Sequence, residues 1–206
     1  MSQTIEKLTE LFTKFPGIGP RQARRFVYYL LTRHNGFIEE LVKHLLDLKK
    51  EIHQCEKCQR YFSKDREQKL CSICRDQNRE SSILLVVSRD IDLENIEKAK
   101  TYSGQYFVLG GSVPILEKEP EKKIRLTKLK ALVLEHTKSA PLAEIILAMN
   151  ANPEGENTAD YLKEALSPLA EKHKFKISLL GRGLSTGTEL EYSDQETIRN
   201  ALKNRG

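Results

Sequence analysis

The sequence predicts an α/β protein in which two small N-terminal modules precede a mostly parallel sheet. Three observations predict it. Residues 5–48 carry apolar positions at helical spacing, interrupted at Pro16-Gly17. Four cysteines follow as two Cys-x-x-Cys pairs, Cys55 with Cys58 and Cys71 with Cys74. After Glu80, short continuous apolar runs alternate with amphipathic stretches, the rhythm of buried strands joined by crossover helices.

At 206 residues the chain can hold one domain of moderate size plus two modules too small to bury full cores alone. With 39% hydrophobic and 31% charged residues it has the composition of a folded globular chain, not a disordered one. The longest apolar runs, such as Ile83 to Val87, are far too short to span a bilayer. Met1-Ser2-Gln3-Thr4-Ile5-Glu6 has neither the basic start nor the apolar core of a secretory signal. The expectation is a cytoplasmic protein with no membrane partner, in which reduced thiols are available to a metal.

Ile5, Leu8, Leu11 and Phe12 define a first amphipathic helix, which Pro16-Gly17 must end. Pro20 suits the first turn of a second helix, where its missing N–H costs nothing. On that helix Arg21, Arg24, Arg25 and Tyr28 fall at i, i+3, i+4 and i+7, while Ala23, Phe26, Val27 and Leu30 lie on the opposite side. Between the helices, Gly17-Ile18-Gly19 permits a tight turn with positive φ and aims free N–H groups from the start of the second helix. Such a hairpin is an anion site, and it resembles the helix-hairpin-helix motif, which holds DNA phosphate through its backbone without reading bases. The alternative is a helical hairpin whose glycines merely turn the chain. DNA contact is therefore expected at Gly17, Gly19, Arg21, Arg24 and Arg25.

Charge distribution agrees. Residues 1–80 hold 16 Lys and Arg against 11 Asp and Glu, whereas residues 81–206 hold 18 of each, so the net +5 belongs to the N-terminal part. Residues 11–38 contain Lys14, Arg21, Arg24, Arg25 and Arg33 and no acid. Such a stretch attracts phosphates over a Debye length, although by itself it equally describes a solvated basic surface.

A third helix carrying Phe37, Leu41, Leu45 and Leu48 leads into the cysteine module. Each Cys-x-x-Cys turn offers two thiolates to one side of a tetrahedral ion, and four thiolates without histidine suit a closed structural zinc site made by Cys55, Cys58, Cys71 and Cys74. An iron centre has the same ligand spacing, and a redox dithiol would need only one of the pairs. His53, two residues before the first ligand, reads as a surface or outer group instead of a ligand.

The strand-like runs are Ile83 to Val87, Tyr106 to Leu109, Glu144 to Ala148 and Phe175 to Leu179. Helical stretches lie between them, from Asp92 through Ala99, around Leu126, Leu129, Leu132 and Val133, and from about Glu156 to Leu169. The pattern implies a parallel sheet with helices on both faces, whose functional edge lies beyond the carboxyl ends of the strands. Those ends are Ser88-Arg89-Asp90, Gly110-Gly111 and Asn150-Ala151-Asn152. Glycines 181, 183 and 187, set among Arg182, Ser185 and Thr186, have the composition of a phosphate cradle, but no Walker lysine follows. A loop before a terminal helix at Glu196 to Leu202, packed on another subunit, accounts for them better.

In their order these parts resemble the RecR family of bacterial recombination mediators across nearly the whole chain. The resemblance rests on Phe15 to Arg25, the four cysteines, Val108-Leu109-Gly110-Gly111, Glu154-Gly155-Glu156-Asn157-Thr158-Ala159, and the stretch from Gly183 to Asp194. It implies a helix-hairpin-helix domain at 1–53, a four-cysteine zinc module at 54–80, a Toprim-like α/β domain at 81–179 and a C-terminal loop and helix at 180–206. It further implies a noncatalytic DNA clamp that self-associates as a dimer or tetrameric ring. Such proteins work with RecO and RecF to load RecA recombinase at gapped or single-stranded DNA. Arg21 and Arg25 match the family's DNA-facing basic positions, whereas Arg24 is an addition of this chain.

An active Toprim site would need a glutamate after its first strand and paired aspartates after a later one to hold magnesium. Here Ser88 stands near the first position, where family members commonly keep a glutamate, and Asn150-Ala151-Asn152 occupies the second. A magnesium-dependent Toprim nuclease or primase-like enzyme is therefore the alternative reading, and no enzyme is the expectation. Asp90, Asp92, Glu154 and Glu156 remain at the edge, the last two reading as acids at a helix N-terminus. In the family the acidic face is associated with RecO, which makes Glu154 and Glu156 candidate partner contacts.

Overall fold

The computed structural model describes residues 2–63, 68–139, 141–181, 190–193 and 195–203. Two compact units divide the chain, Met1–Ile52 and His53–Gly206.

The first unit comprises α1 (Gln3–Thr13), α2 (Pro20–Leu31) and α3 (Asn35–Glu51). Pro20 stands at the start of α2, with Gly19 as its N-cap. Ala23 and Val27 of α2 are buried, and Phe12 of α1 meets Phe26 of α2 edge-on with ring centroids 5.9 Å apart. The apolar stripes thus bind α1 to α2, as a hairpin of two amphipathic helices must. The third helix behaves differently. His34 caps it, its Nδ1 accepting the Phe37 N–H at 3.1 Å, but α3 contains no buried residue. Leu41, Val42, Leu45, Leu46 and Leu48 face solvent.

The second unit begins with β1 (Ile52–Gln54) paired to β2 (Tyr61–Ser63), then α4 (Ser72–Arg75). A sheet follows from β3 (Glu80–Val87), α5 (Asp90–Ala99), β4 (Gly104–Val108), α6 (Leu126–Ser139), β5 (Glu144–Ala148), α7 (Pro153–His173) and β6 (Lys176–Leu179). A terminal helix α8 spans Gln195–Lys203. The sheet order is β4-β3-β5-β6 with every pairing parallel, Leu85 standing opposite both Tyr106 and Ile146. Predicted strands and helices are all present, with α7 starting three residues before the expected Glu156 because Pro153 and an Asn152 cap initiate it.

Alternation along β3 sorts its apolar run onto two faces. Leu84 and Val86 join Phe107, Ile145 and Leu147 under Leu129, Leu132 and Val133 of α6 and Leu162 and Leu166 of α7. Leu85 and Val87 join Tyr106 and Val108 beneath Leu93 of α5 and, beside it, Cys55, Cys58, Cys71 and Ile73. One face of the sheet is therefore covered by a helix and the cysteine module together. Each fully buried leucine in such a core contributes about 1.5–3 kcal/mol.

An ion pair ties the chain entering β3 to α5. Arg79 Nη2 lies 2.6 Å from Glu97 Oε2, Arg79 Nη1 donates to the Gly104 carbonyl at 3.1 Å, and the guanidinium sits 5.7 Å from the Tyr106 ring centroid. Burial would raise the Glu97 carboxyl, but the Arg79 guanidinium bonded to it, with the Tyr106 hydroxyl nearby, outweighs it and holds the group below the usual carboxylate range.

Candidate metal centre and nucleic-acid interface

The sulfur atoms of Cys55, Cys58, Cys71 and Cys74 all lie within 4.8 Å of one another. Cys58 Sγ and Cys71 Sγ are 3.6 Å apart, close to the ~3.8 Å edge of a tetrahedron built on Zn–S bonds of about 2.3 Å. Backbone hydrogen bonds set this spacing: the Gln59 N–H returns to Cys55 O at 3.0 Å, Arg75 N to Cys71 O at 3.1 Å, and Cys71 N–H points at Cys55 Sγ at 3.4 Å. No disulfide joins them. Crowding makes their ionisations compete. Contact with Cys58, then Cys71 and Cys74, lowers Cys55, while contact with Cys55 first of all raises Cys58 and Cys74. Cys71 is lowered to about 7, the raising contact with Cys55 being outweighed by Cys58 and Cys74. A divalent cation resolves that competition by taking four thiolates at once. Donor set, spacing and burial all fit zinc, which would supply a structural crosslink and no open coordination position.

The module is bonded into the sheet. Val108 at the end of β4 donates its N–H to Cys58 O at 2.8 Å. Gln59, only 4% exposed, adopts a left-handed backbone with φ 64°. Its Nε2 donates to Cys55 O at 3.1 Å and Glu56 O at 2.7 Å, and its Oε1 accepts from Lys128 Nζ at 2.7 Å. Its carbonyl accepts from Arg125 Nη1 at 3.2 Å and Gln54 Nε2 at 3.0 Å. Arg125 also donates to Val108 O at 3.0 Å and lies 5.9 Å from the Tyr61 ring centroid. Gly110, with φ +87°, leaves room for it, since a Cβ there would meet Arg125 Cζ at 2.6 Å. None of Gln59, Arg125 and Lys128 was expected from sequence. Their separations of 66 and 69 residues carry no periodic signal.

In the first unit, Gly17 has φ +75° and Gly19 is extended at φ −81°, so the left-handed turn expected of the pair resides at Gly17 alone. A Cβ added at either would meet nothing within 4 Å. Gly19 places no side chain over the first turn of α2, where Gly19, Pro20 and Arg21 are exposed. Arg21, Arg24 and Arg25 are all exposed on the side of α2 away from Ala23 and Val27. Arg25 Nη1 reaches Gln22 Oε1 at 3.3 Å, and Arg33 stacks over Tyr29 at 4.0 Å from the ring centroid. The hairpin thus joins an open N-terminus to a cationic face, with the aromatic Tyr28 and Tyr29 exposed beside it.

At the carboxyl edge of the sheet the polar groups are occupied structurally. Ser88 is buried, its hydroxyl 3.3 Å from Met149 Sδ. Asn152 Oδ1 caps α7 by accepting the Gly155 N–H at 2.8 Å, and a Cβ on Gly155 would strike Asn150 O at 2.1 Å. Asp90 accepts the Tyr61 N–H at 2.7 Å and Asp92 the Arg89 N–H at 2.9 Å. Glu154 and Glu156 are exposed in the first turn of α7, where the helix dipole favours them. Among the described residues, the cysteine quartet is the one cluster of three or more His, Cys, Asp or Glu able to hold an ion. Residues 182–189 and 194, with most of the expected glycine loop, lie outside the described residues.

A family model for the RecR helix-hairpin-helix matches residues 5–49, one for the Toprim domain residues 82–181, and one for the RecR C-terminal region residues 183–205. Recombination protein RecR of Staphylococcus aureus strain JH9 is 36% identical over 203 residues, covering 98% of this chain and 96% of its own. The same protein from strain Mu50 gives the same values, and that from strain Newman is 35% identical over the same span. The chain belongs to the RecR family. As a RecR-family protein it combines helix-hairpin-helix, cysteine cluster and Toprim domain in the expected order. No helix among its described residues is long and apolar enough to cross a membrane.

Proposed function

We propose that this chain is a noncatalytic, sequence-nonspecific DNA-binding protein that mediates recombinational DNA repair. The observation that carries the reading is the hairpin itself. An open Gly17-Ile18-Gly19 turn stands at the N-terminus of α2, and Arg21, Arg24 and Arg25 extend from it on one exposed face. Backbone donors and arginines hold phosphates and carry no base preference. Kinship with proteins named for recombination supports the biological setting.

In the fuller form of this reading, copies of the chain associate as a dimer or tetrameric ring with the hairpins facing DNA, and act with RecO and RecF to load RecA at gaps. The exposed apolar side of α3, running through Val42, Leu45 and Leu46, supports association with a second copy. Residues 180–206 would serve the same packing, and Glu154 and Glu156 would meet RecO. Zinc is the ion assigned to the four cysteines. The cytoplasm is the compartment the reading requires, since DNA and reduced thiols are found there. A magnesium-dependent nuclease or primase-like enzyme would need carboxylates where Ser88, Asn150 and Asn152 stand.

The test is a DNA titration at several salt concentrations, comparing wild type with Arg21→Ala and Arg25→Ala. Each variant should bind more weakly on every sequence and lower the salt slope by about one. Unchanged affinity and slope would remove the hairpin from the interface.

A further inference from the structure

We infer that Lys128 and Arg125 are positioning residues for the metal of the cysteine centre, acting through Gln59. The inference rests on the assignment of the four cysteines as a metal site.

A residue with φ near +60° in the turn after Cys-x-x-Cys would ordinarily be glycine, because a side chain makes this conformation costly. This chain places Gln59 there, at φ 64°. The conformation persists because all four polar groups of the residue are held. Its N–H and Nε2 both turn back to Cys55 O, and Nε2 also reaches Glu56 O, so the amide spans the turn that sets Cys55 against Cys58. Its Oε1 is held by Lys128 and its carbonyl by Arg125 and Gln54. Two of these donors come from the segment that opens α6, which on its other side packs into the sheet core through Leu129 and Leu132.

The consequence is directional. The first pair of thiolates is fixed not only by its own turn but by two cations at the start of α6, in the way that outer hydrogen-bond partners orient metal ligands elsewhere. Without Lys128, the buried Oε1 of Gln59 loses its donor and the amide is free to leave Cys55 and Glu56. Without Arg125, the Gln59 carbonyl and the Val108 carbonyl lose a shared donor. Either loss should loosen the ion without removing a ligand.

The experiment loads wild type, Lys128→Met, Lys128→Arg, Arg125→Met and Gln59→Gly with zinc and follows its release to a chromogenic chelator at 25 °C and fixed pH. Cobalt-loaded samples report the coordination geometry by their visible spectra. Lys128→Met and Arg125→Met should release zinc about tenfold faster with the tetrathiolate spectrum retained. Lys128→Arg should restore much of the retention, and Gln59→Gly, which suits the backbone but lacks the amide, should resemble Lys128→Met. Leu166→Ala in α7, which weakens the opposite face of the sheet away from Gln59 and Lys128, serves as the control and should lower the melting temperature while speeding release less than Lys128→Met. Wild type that takes up no stoichiometric metal would remove the metal assignment itself. Wild type that holds zinc, with Lys128→Met releasing it at the same rate or Leu166→Ala releasing it as fast as Lys128→Met, would overturn the positioning role alone.

Discussion

Val108 ends β4 by donating its backbone N–H to the carbonyl of Cys58 at 2.8 Å, so the hydrogen bonding of the strand continues into the cysteine module where a neighbouring strand would otherwise pair. The cysteines are thereby part of the sheet's own core: Cys55, Cys58 and Cys71 pack with Leu85, Val87, Tyr106 and Val108. The binding energy of an ion held there would consequently be folding energy of the second unit.

Stripping the metal should therefore uncover the Leu85, Val87 and Tyr106 face. We expect chelator treatment, or Cys58→Ser, to raise binding of an apolar dye and to abolish protection of β3 and β4 amides in hydrogen exchange. Protection of the Leu84 and Val86 side alone cannot survive, since both faces belong to the same strand. Native exchange in β4 after metal removal would contradict the coupling.

The two hairpin glycines should differ in their tolerance. Gly17→Ala places a side chain at φ +75° and should destabilise the first unit by about 1–2 kcal/mol. Gly19→Ala, at extended φ −81°, should cost only about half a kcal/mol or less. Urea unfolding followed on the helical signal separates the two.

Glu97 predicts an acid-sensitive contribution to stability. Its carboxyl is depressed in the folded protein because the Arg79 ion pair, with the Tyr106 hydroxyl nearby, overcomes the raising effect of burial. A depressed folded pKa contributes stability in full above the unfolded value of about 4.3 and loses it as pH falls through the folded value. Wild type should exceed Glu97→Gln in unfolding free energy at pH 7, and the difference should shrink as pH falls below the unfolded value of about 4.3. A gap that stays constant as the protein is acidified would show that the charge of Glu97 is not involved.

The sheet edge should be chemically silent. Supercoiled plasmid incubated with the protein and magnesium should remain intact, and Glu154→Ala or Asp92→Ala should change nothing. Nicking that disappears in either variant would restore the enzyme reading.

The exposed side of α3 should govern association. Leu45→Glu together with Leu46→Glu should lower the mass in solution relative to wild type while leaving the helical content unchanged. Equal masses would place self-association elsewhere.

Local pattern alone determined a great deal here. Helical spacing and Pro16-Gly17 marked the hairpin, paired Cys-x-x-Cys turns marked the four thiols that the fold gathers, and the alternation of apolar runs with amphipathic stretches predicted every sheet strand and crossover helix. These are short-range signals, in which a handful of neighbouring residues fixes the backbone. Tertiary structure decided what lies across from them. The run Leu84-Leu85-Val86-Val87 reads as uniformly apolar, and only the fold assigns its alternate members to α6 and α7 or to the cysteine module. Likewise Asp90 and Asp92 look like free acids in sequence, yet one holds the Tyr61 N–H and the other its own helix start. Gln59 meets Arg125 and Lys128 across an entire βαβ unit, a proximity set by packing between layers, which leaves no periodic trace in the chain.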